Sequence, residues 1–366
     1  MSKYLIAGLP LLLLASGHAT FAAGRSGEDI YTATCANCHG SDGRGASVSQ
    51  TGLLVKPRDF TECQRTARES DHDWQAVIVG GGPARGWNRL MPAFGEVLSE
   101  PEQAAVLAYV RGFCVDPVWP RGDLNFPRPQ VTEKAFVEDE VIVSGAMDTD
   151  SPRNFDGKLI YEQRFLRRQM FEVTLPFAVK RLADGSREGG IGDLAIAFKS
   201  LLLANVRSGT ILSVGAEAAL PTGNSDKDKR FGNGVMVVEP FVAFGQALPS
   251  DSFLQVQAGA EIPVKESTVV ENEGYLRTAL GTSLYYAKYG RAFSPMVEAV
   301  VVRELTRDAA TALDLVPQIQ ISLSRRQHVM ASLGGSIPTV SREGRSPQVM
   351  FYLLWDFGDG SLFEAW

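Results

Sequence analysis

The spacing of hydrophobic positions changes once along the chain, from a helical period to alternation by two. From residue 254 to residue 262 every second residue is apolar, and the positions between them hold Gln255, Gln257, Gly259 and Glu261. Because successive side chains of a strand point to opposite faces, this alternation predicts a β-strand with one apolar face. Ranges 210–220 and 313–324 show the same pattern.

Twelve such segments follow residue 131, and each is long enough to cross an outer membrane as a tilted strand. They cover residues 138–147, 158–166, 169–180, 193–203, 210–220, 236–247, 253–264, 275–286, 293–304, 313–324, 328–340 and 348–357. Long polar connections such as 221–234 alternate with short ones such as 249–251, which is typical of a transmembrane barrel. We therefore predict an antiparallel transmembrane β-barrel of about twelve strands over residues 131–366, with both ends on the periplasmic, short-turn rim.

A soluble all-β domain is the alternative, because its strands also alternate between an inner and an outer face. Aromatic residues near the strand ends, such as Phe177, Phe244 and Tyr285, favour the membrane barrel. Two segments fit a membrane barrel less well. Range 193–203 contains Lys199, and range 293–304 has apolar residues on the face that would line the lumen.

The preceding part of the chain has helical signals. Ser26 is placed to cap a helix that leads to Cys35, and Ser99 with Glu102 forms a capping box before a helix over 104–113. Tyr31 and Tyr109 are predicted to meet where the two helices cross. Residues 24–116 are therefore predicted to form an all-α domain, and the whole chain to be a multidomain protein.

Two further segments complete the organisation. Residues 1–23 have a positive start, an apolar run and small residues near Ala22, which predicts a secretory signal peptide and export. Residues 117–130 contain four prolines at 117, 120, 127 and 129, which favours an extended linker. The net charge of −6 indicates no nucleic-acid partner.

The sequence Cys35-Ala36-Asn37-Cys38-His39 is the attachment signature of a c-type haem. Two thiols at this spacing bind the two vinyl groups of one porphyrin, and the adjacent imidazole binds the iron. A redox-active cysteine pair or half of a zinc site is the alternative, although no second pair at zinc-finger spacing is present. We predict one covalent haem c.

With this motif between its two capped helices, the domain resembles the class I mono-haem c-type cytochromes. The segment Leu90-Met91-Pro92 is similar to the loop that carries the axial methionine in that family, which implies His39 and Met91 as the iron ligands. The segment around Pro57 resembles the loop whose proline carbonyl orients the proximal histidine. Met91 could instead fill the core, and His72, the rival imidazole, is predicted to be solvated.

Cys63 and Cys114 remain outside the motif. Because export places them in an oxidising compartment, we expect a disulfide between them, with two buried free thiols as the alternative.

The barrel region resembles the porin-like family grouped with phenol meta-pathway outer-membrane proteins, on diffuse patterns at residues 192–194, 219–223 and 354–357.

These observations predict an outer-membrane protein whose haem faces the periplasm and exchanges single electrons with periplasmic redox proteins. No nucleophile triad, phosphate loop or metal-hydrolase motif indicates an enzyme with a defined substrate. The alternative function is an outer-membrane channel for a small solute with a redox-sensing haem domain. The expected partners are therefore redox proteins, outer-membrane lipid and a possible small-molecule permeant.

Overall fold

The computed structural model describes residues 24–53, 56–150, 153–182, 184–224, 231–267 and 270–357. The segment predicted as a signal peptide, residues 1–23, lies outside them. The regular elements before residue 125 are helical: α1 (Gly27–Thr34), α2 (Ala36–His39), α3 (Val48–Thr51), α4 (Cys63–Thr66), α5 (Asp71–Gly80), α6 (Glu100–Arg111) and two 3-10 turns (Gly82–Arg85, Gly122–Leu124). None of the helices in the described ranges is long and apolar enough to cross a membrane.

The helical domain is built on the contact between α1 and α6. Ser26 caps α1 by accepting a hydrogen bond from the Asp29 amide, and Ser99 and Glu102 form the predicted capping box of α6. The rings of Tyr31 and Tyr109 lie 5.2 Å apart at the crossing, which confirms the predicted contact. The buried core consists of Ile30, Tyr31, Phe60, Leu98, Val106 and Val110.

All the strands of the described chain belong to one antiparallel sheet. Its strands are β1 (Glu140–Asp148), β2 (Phe155–Arg164), β3 (Gln169–Arg181), β4 (Arg187–Ile191), β5 (Ala195–Asn205), β6 (Thr210–Ala219), β7 (Val237–Leu248), β8 (Ser252–Pro263), β9 (Glu273–Thr282), β10 (Leu284–Tyr285), β11 (Ala292–Glu304), β12 (Thr311–Ser322), β13 (Val329–Val340) and β14 (Gln348–Asp356). Two are short: β4 extends a hairpin beyond the ring, and β10 continues β9.

The sheet closes into a barrel of twelve strands because β1 pairs with β14 and β9 pairs with β11. All twelve predicted strands are confirmed within a few residues. Short connections (165–168, 206–209, 249–251, 286–291, 323–328) lie on one rim, together with both ends of the barrel. The other rim carries the longest connections, 182–194 and 220–236, together with shorter ones such as 149–154 and 305–310.

The two faces of the barrel are the reverse of those of a soluble protein. Gln255 and Gln257 point inward and are fully buried, whereas Leu280 and Leu333 point outward and are more than half exposed. An apolar outer surface around a polar interior is the pattern of a barrel surrounded by lipid. It contradicts the soluble all-β alternative, in which the apolar face would be buried.

The chain between the helical domain and β1 enters the barrel. Residues 124–138, here called the lumen segment, are mostly buried and contact residues on the inner face of the wall. Gln255 donates to the Pro127 carbonyl (2.8 Å) and Tyr352 donates to the Arg128 carbonyl (2.6 Å). The domain boundaries 24–116, 117–130 and 131–366 remain predictions, and the last part of the predicted linker lies inside the barrel.

The helical domain packs against the short-turn rim. Arg85 donates to the Tyr289 carbonyl (2.8 Å), Gln327 donates to the Asp73 carboxylate (2.9 Å), and the Arg326 guanidinium lies 4.0 Å from the centre of the Trp87 ring. Further contacts join Arg68 to Asp139, Glu69 to His328, Glu100 to Lys288 and Gln64 to Arg164. Polar contacts thus hold the domain on the barrel.

Candidate functional site

The three residues of the haem motif lie on one helical turn. Helix α1 ends at Thr34, and α2 begins at once, with Cys35 at the junction and His39 as its last residue. The His39 amide donates to the Cys35 carbonyl (2.9 Å), and the Tyr31 hydroxyl donates to the carbonyl of the following Gly40 (2.6 Å). The structure therefore brings Cys35, Cys38 and His39 together on a turn fixed from the domain core.

Aromatic rings surround His39. Its imidazole stacks on Phe60 with ring centroids 4.6 Å apart and a plane angle of 17°, and Phe60 in turn contacts Trp74 at 5.3 Å. Burial lowers the pKa of His39, and the main chain of Arg58 opposes this shift. A lowered pKa keeps the imidazole neutral at neutral pH, which is the form that binds a metal.

Pro57 lies beside the haem motif. It lies closest to Gly45, in the turn that follows His39. The Gly45 amide donates to the His39 carbonyl (2.8 Å). Gly45 has φ +77°, and a Cβ at this position would lie 2.4 Å from the Pro57 carbonyl oxygen, so only glycine fits. The Nδ1 atom of His39 is buried without a hydrogen-bond partner. An imidazole that binds a metal through Nε2 usually donates a hydrogen bond from Nδ1. Among the described residues Nδ1 of His39 makes no such bond, so the role of the Pro57 carbonyl in orienting His39 stays a prediction.

Met91 is half-buried on a separate loop between the Gly82–Arg85 turn and α6. Its amide donates to Asn88 (3.1 Å), and its carbonyl accepts from Gly82 (3.0 Å). Gly81, with φ +71°, lets the loop approach, since a Cβ there would lie 2.7 Å from the Met91 carbonyl oxygen. The same loop joins α5 through a hydrogen bond from Phe94 to Ile78 (2.9 Å), and α5 also carries Trp74.

The remaining two cysteines form the expected disulfide. Cys63 at the start of α4 is bonded to Cys114 after α6, with Cα atoms 5.1 Å apart. Cys35 and Cys38 are therefore the free thiols of the chain, the first half-buried and the second exposed. Two free thiols and a neutral imidazole on one turn, against an aromatic wall, fit the requirements of a c-type haem.

The other two described histidines lie away from this turn. His72 is not solvated as predicted but packs between the helical domain and the barrel, with its ring 3.8 Å from that of Tyr285. His328 lies at the short-turn rim with its Nε2 3.6 Å from a Glu69 carboxylate oxygen.

Comparison with known proteins identifies the first domain. A family model described as cytochrome C oxidase, cbb3-type, subunit III matches residues 22–110. The amino-terminal region is a c-type cytochrome domain. A cytochrome of this type implies a haem c cofactor and a function in electron transfer. No curated protein sequence matches the chain.

The barrel of this cytochrome fusion is similar to solved outer-membrane channels. The COG4313 outer membrane channel from Pseudomonas putida F1 is 12% identical, with a TM-score of 0.47 over 63% of this chain and 100% of that one. The KdgM porin (8%, TM-score 0.40, 60% and 99%) and the NanC porin (8%, TM-score 0.42, 59% and 98%) are similar too. At these identities and TM-scores the similarity concerns the fold alone.

Sequence reasoning did not find the aromatic wall of the cytochrome domain or the lumen segment. Phe60, Trp74 and Phe113 are separated by up to 53 residues, and no local pattern links them to His39. The sequence does contain one indication of the lumen segment. The range 128–140 has six charged residues, which are too many for a strand that faces lipid. Lys199, which fitted its strand poorly, was the complementary signal in the wall.

Proposed function

We propose that this protein is a membrane-anchored electron carrier, with one covalent haem c in a cytochrome domain fixed to the periplasmic rim of an outer-membrane barrel. The observation that carries the proposal is the turn that presents Cys35, Cys38 and His39 together within a c-type cytochrome fold. The barrel supplies the anchor. The partners are then periplasmic redox proteins, which reach the cytochrome domain by diffusion.

The side chains of the site have separate tasks in this proposal. Cys35 and Cys38 would hold the porphyrin through thioether bonds, and His39 and Met91 would bind its iron. When bound, the haem supplies a one-electron change at its iron. Phe60 restricts the plane of the His39 ring by stacking, and a methionine ligand favours a higher reduction potential than a second imidazole does.

Location in the outer membrane is supported by the barrel itself. Its twelve strands contain 9 to 13 residues, near the length required to cross a bilayer at a tilt. In barrels of this class the short turns face the periplasm and the longer loops face outward. The cytochrome domain packs against the short-turn rim, so we assign that domain to the periplasm.

The test uses the complete protein in isolated outer membranes washed with urea. We expect haem staining to remain in the membrane fraction, with one haem per chain and one reversible one-electron wave on redox titration. Boiled and unboiled samples are expected to migrate differently on a gel, as a folded barrel requires. Cys38→Ala is expected to reduce covalent haem while it leaves this heat-dependent shift intact.

Two results would refute the proposal. A chain that remained in the aqueous supernatant without detergent would exclude the membrane anchor. A membrane-bound chain without covalent haem would exclude the electron carrier, even with its barrel intact. The matched control for Cys38→Ala is Thr32→Ala, an exposed change on the preceding helix that removes no thiol.

A further inference from the structure

The lumen segment, residues 124–138, lies inside the barrel and contacts its wall around the circumference. Partners on the wall come from β1, β2, β5, β6, β8, β11, β13 and β14. We propose that this segment is a resident plug that closes the barrel to solutes. The barrel then anchors the cytochrome domain without conducting, and solute passage requires the segment to be displaced.

A carboxylate of the wall binds the main chain of the segment. Glu298 on β11 is fully buried and accepts hydrogen bonds from the amides of Gln130 (2.8 Å), Val131 (3.1 Å) and Thr132 (2.6 Å). The hydroxyl of Thr132 donates to the same carboxylate (2.6 Å). Since a buried amide must find an acceptor, Glu298 satisfies three consecutive donors of a segment that has no strand or helix of its own.

Ion pairs fix the segment to the opposite part of the ring. Arg128 pairs with Glu162 on β2 (2.7 Å) and Glu140 on β1 (3.4 Å), and Glu133 pairs with Lys199 on β5 (2.5 Å). The side chains of these residues are at most 17% exposed. Withdrawal of the segment would break these ion pairs together, and this combined loss opposes spontaneous opening.

The end of the segment nearest β1 is apolar. Ala135, Phe136 and Val137 are at most 3% exposed and belong to a buried cluster inside the barrel. The wall contributes Met170, Leu201, Ile211, Phe241, Ala243 and Tyr275 to this cluster. An open aqueous channel would expose these side chains to water, whereas a filled lumen buries them. This explains apolar residues on a face that lines the interior.

Space remains on the side of the cytochrome domain. A cavity of about 480 Å³ lies between that domain, the short-turn rim and the lumen segment. Phe126, Arg128 and Lys134 of the segment contribute to its lining together with Glu140 of the wall. The segment therefore forms part of the boundary between this cavity and the interior of the barrel.

The test measures the conductance of the full-length, haem-containing protein in planar lipid bilayers. We expect the wild type to be silent. The double variant Arg128→Gln, Glu298→Ala removes the ion pairs of Arg128 and the acceptor at Glu298, and leaves the Glu133–Lys199 pair in place. It is expected to show channel openings at least tenfold above the background recorded with the wild type. Glu343→Gln, an exposed change in the loop between β13 and β14, is the matched control and should stay silent.

A disulfide lock tests the position of the segment. The Ser213 hydroxyl on β6 donates to the Ala135 carbonyl, so Ala135→Cys with Ser213→Cys places two thiols on neighbouring residues of the segment and the wall, where oxidation can join them. Added to the opened double variant, this lock is expected to abolish conductance until a reductant is supplied. The unlocked double variant, treated with the same reductant, controls for the reduction of Cys63–Cys114.

Two results would overturn the plug. One is a wild type that conducts steadily, whether or not the lock has formed. The other is a double variant that is silent although its gel mobility shows a folded barrel. Failure of the plug can be distinguished from failure of the proposed function. A chain without a barrel shows no heat-dependent gel shift, whereas a barrel without a plug does. Loss of haem alone would refute the electron carrier but not the plug.

Discussion

The ring of His72 in the cytochrome domain stacks on Tyr285 of the barrel, with centroids 3.8 Å apart and planes 22° from parallel. Its Nε2 lies 3.1 Å from the Lys288 carbonyl oxygen, and its Nδ1 lies 3.4 Å from the Arg85 guanidinium. A neutral imidazole protonated on Nε2 satisfies both contacts, because it donates to the carbonyl and accepts from arginine. The docked position of the domain therefore favours the uncharged histidine.

We predict that docking of the cytochrome domain weakens as the pH falls below about 6.5. Burial lowers the pKa of His72 from 6.5, while the Lys288 carbonyl and the carboxylates of Asp73 and Asp251 oppose this shift and Arg85 adds to it. At a pH near 6.5 the docked form thus binds fewer protons than the undocked form. His72 therefore contributes its full stabilisation of docking at pH values above its ordinary pKa of 6.5. That contribution is lost as the pH falls through 6.5 toward the lowered pKa.

Amide hydrogen exchange in the turn 286–291 measures how firmly the cytochrome domain is docked. The rates are corrected for the pH dependence of intrinsic exchange. Protection is expected to fall between pH 7 and pH 5.5 in the wild type. His72→Phe preserves an aromatic ring but does not titrate, so its protection should be independent of pH. The comparison is repeated with His328→Gln, because His328 and Glu69 face each other across the same interface. Equal pH dependence in His72→Phe and wild type would contradict the prediction.

Met91 is expected to set the reduction potential. Met91→His should lower the midpoint potential relative to the wild type, because an imidazole stabilises ferric iron more than a thioether does. Redox titration of the purified protein measures the change. Leu90→Ala is the matched control, since Leu90 is 60% exposed on the same loop. Equal potentials for Met91→His and the wild type would exclude Met91 as a ligand.

The disulfide is expected to stabilise the cytochrome domain against unfolding. The double variant Cys63→Ser, Cys114→Ser removes a cross-link between residues 51 positions apart. We expect the free energy of unfolding to fall by about 2 to 5 kcal/mol, by analogy with the loss of native disulfides from small exported domains. Urea titration followed by haem absorbance measures the loss. An unchanged midpoint would show that the bond does not contribute.

Two neighbouring tyrosines provide a matched comparison. Tyr31→Phe removes the hydroxyl that donates to Gly40 after the haem motif, and should cost about 1 kcal/mol of domain stability. Tyr109→Phe removes a hydroxyl for which the described chain shows no hydrogen bond, and should cost less. The same urea titration distinguishes them. A larger loss in Tyr109→Phe would contradict the importance of the Gly40 contact.

The pair formed by Lys199 and Glu133 is suited to a double-mutant cycle. Lys199→Met removes the nearer of the two cations beside Glu133, whose other partner is Arg128 at 3.6 Å, and is expected to cost about 3 kcal/mol. Glu133→Gln in the same chain should recover part of that loss, because the carboxylate that Lys199 neutralised is gone. The temperature at which the folded gel band disappears measures the change. Additive losses would show that the two residues do not interact.

The elements of this protein were largely predictable from local patterns. Alternation by two, as in 254–262, reports the two faces of a strand, and the capping residues Ser26 and Ser99 mark helix starts; both depend only on neighbouring residues. The adjacency of Cys35, Cys38 and His39 likewise indicated their chemistry directly. The Tyr31–Tyr109 contact and the Cys63–Cys114 bond followed from these elements and their environment.

The placement of the segment before β1 was decided only by the tertiary structure. Residues 125–139 form no helix or strand, as the prolines at 127 and 129 favour, but nothing local shows that Arg128 and Glu133 find partners on strands far along the sequence. The same holds for His72, whose polar neighbours indicated solvent and which is instead packed against the barrel. Local sequence encodes the preference of the backbone and the polarity of each face, whereas burial of a charge depends on partners that only the closed barrel brings within reach.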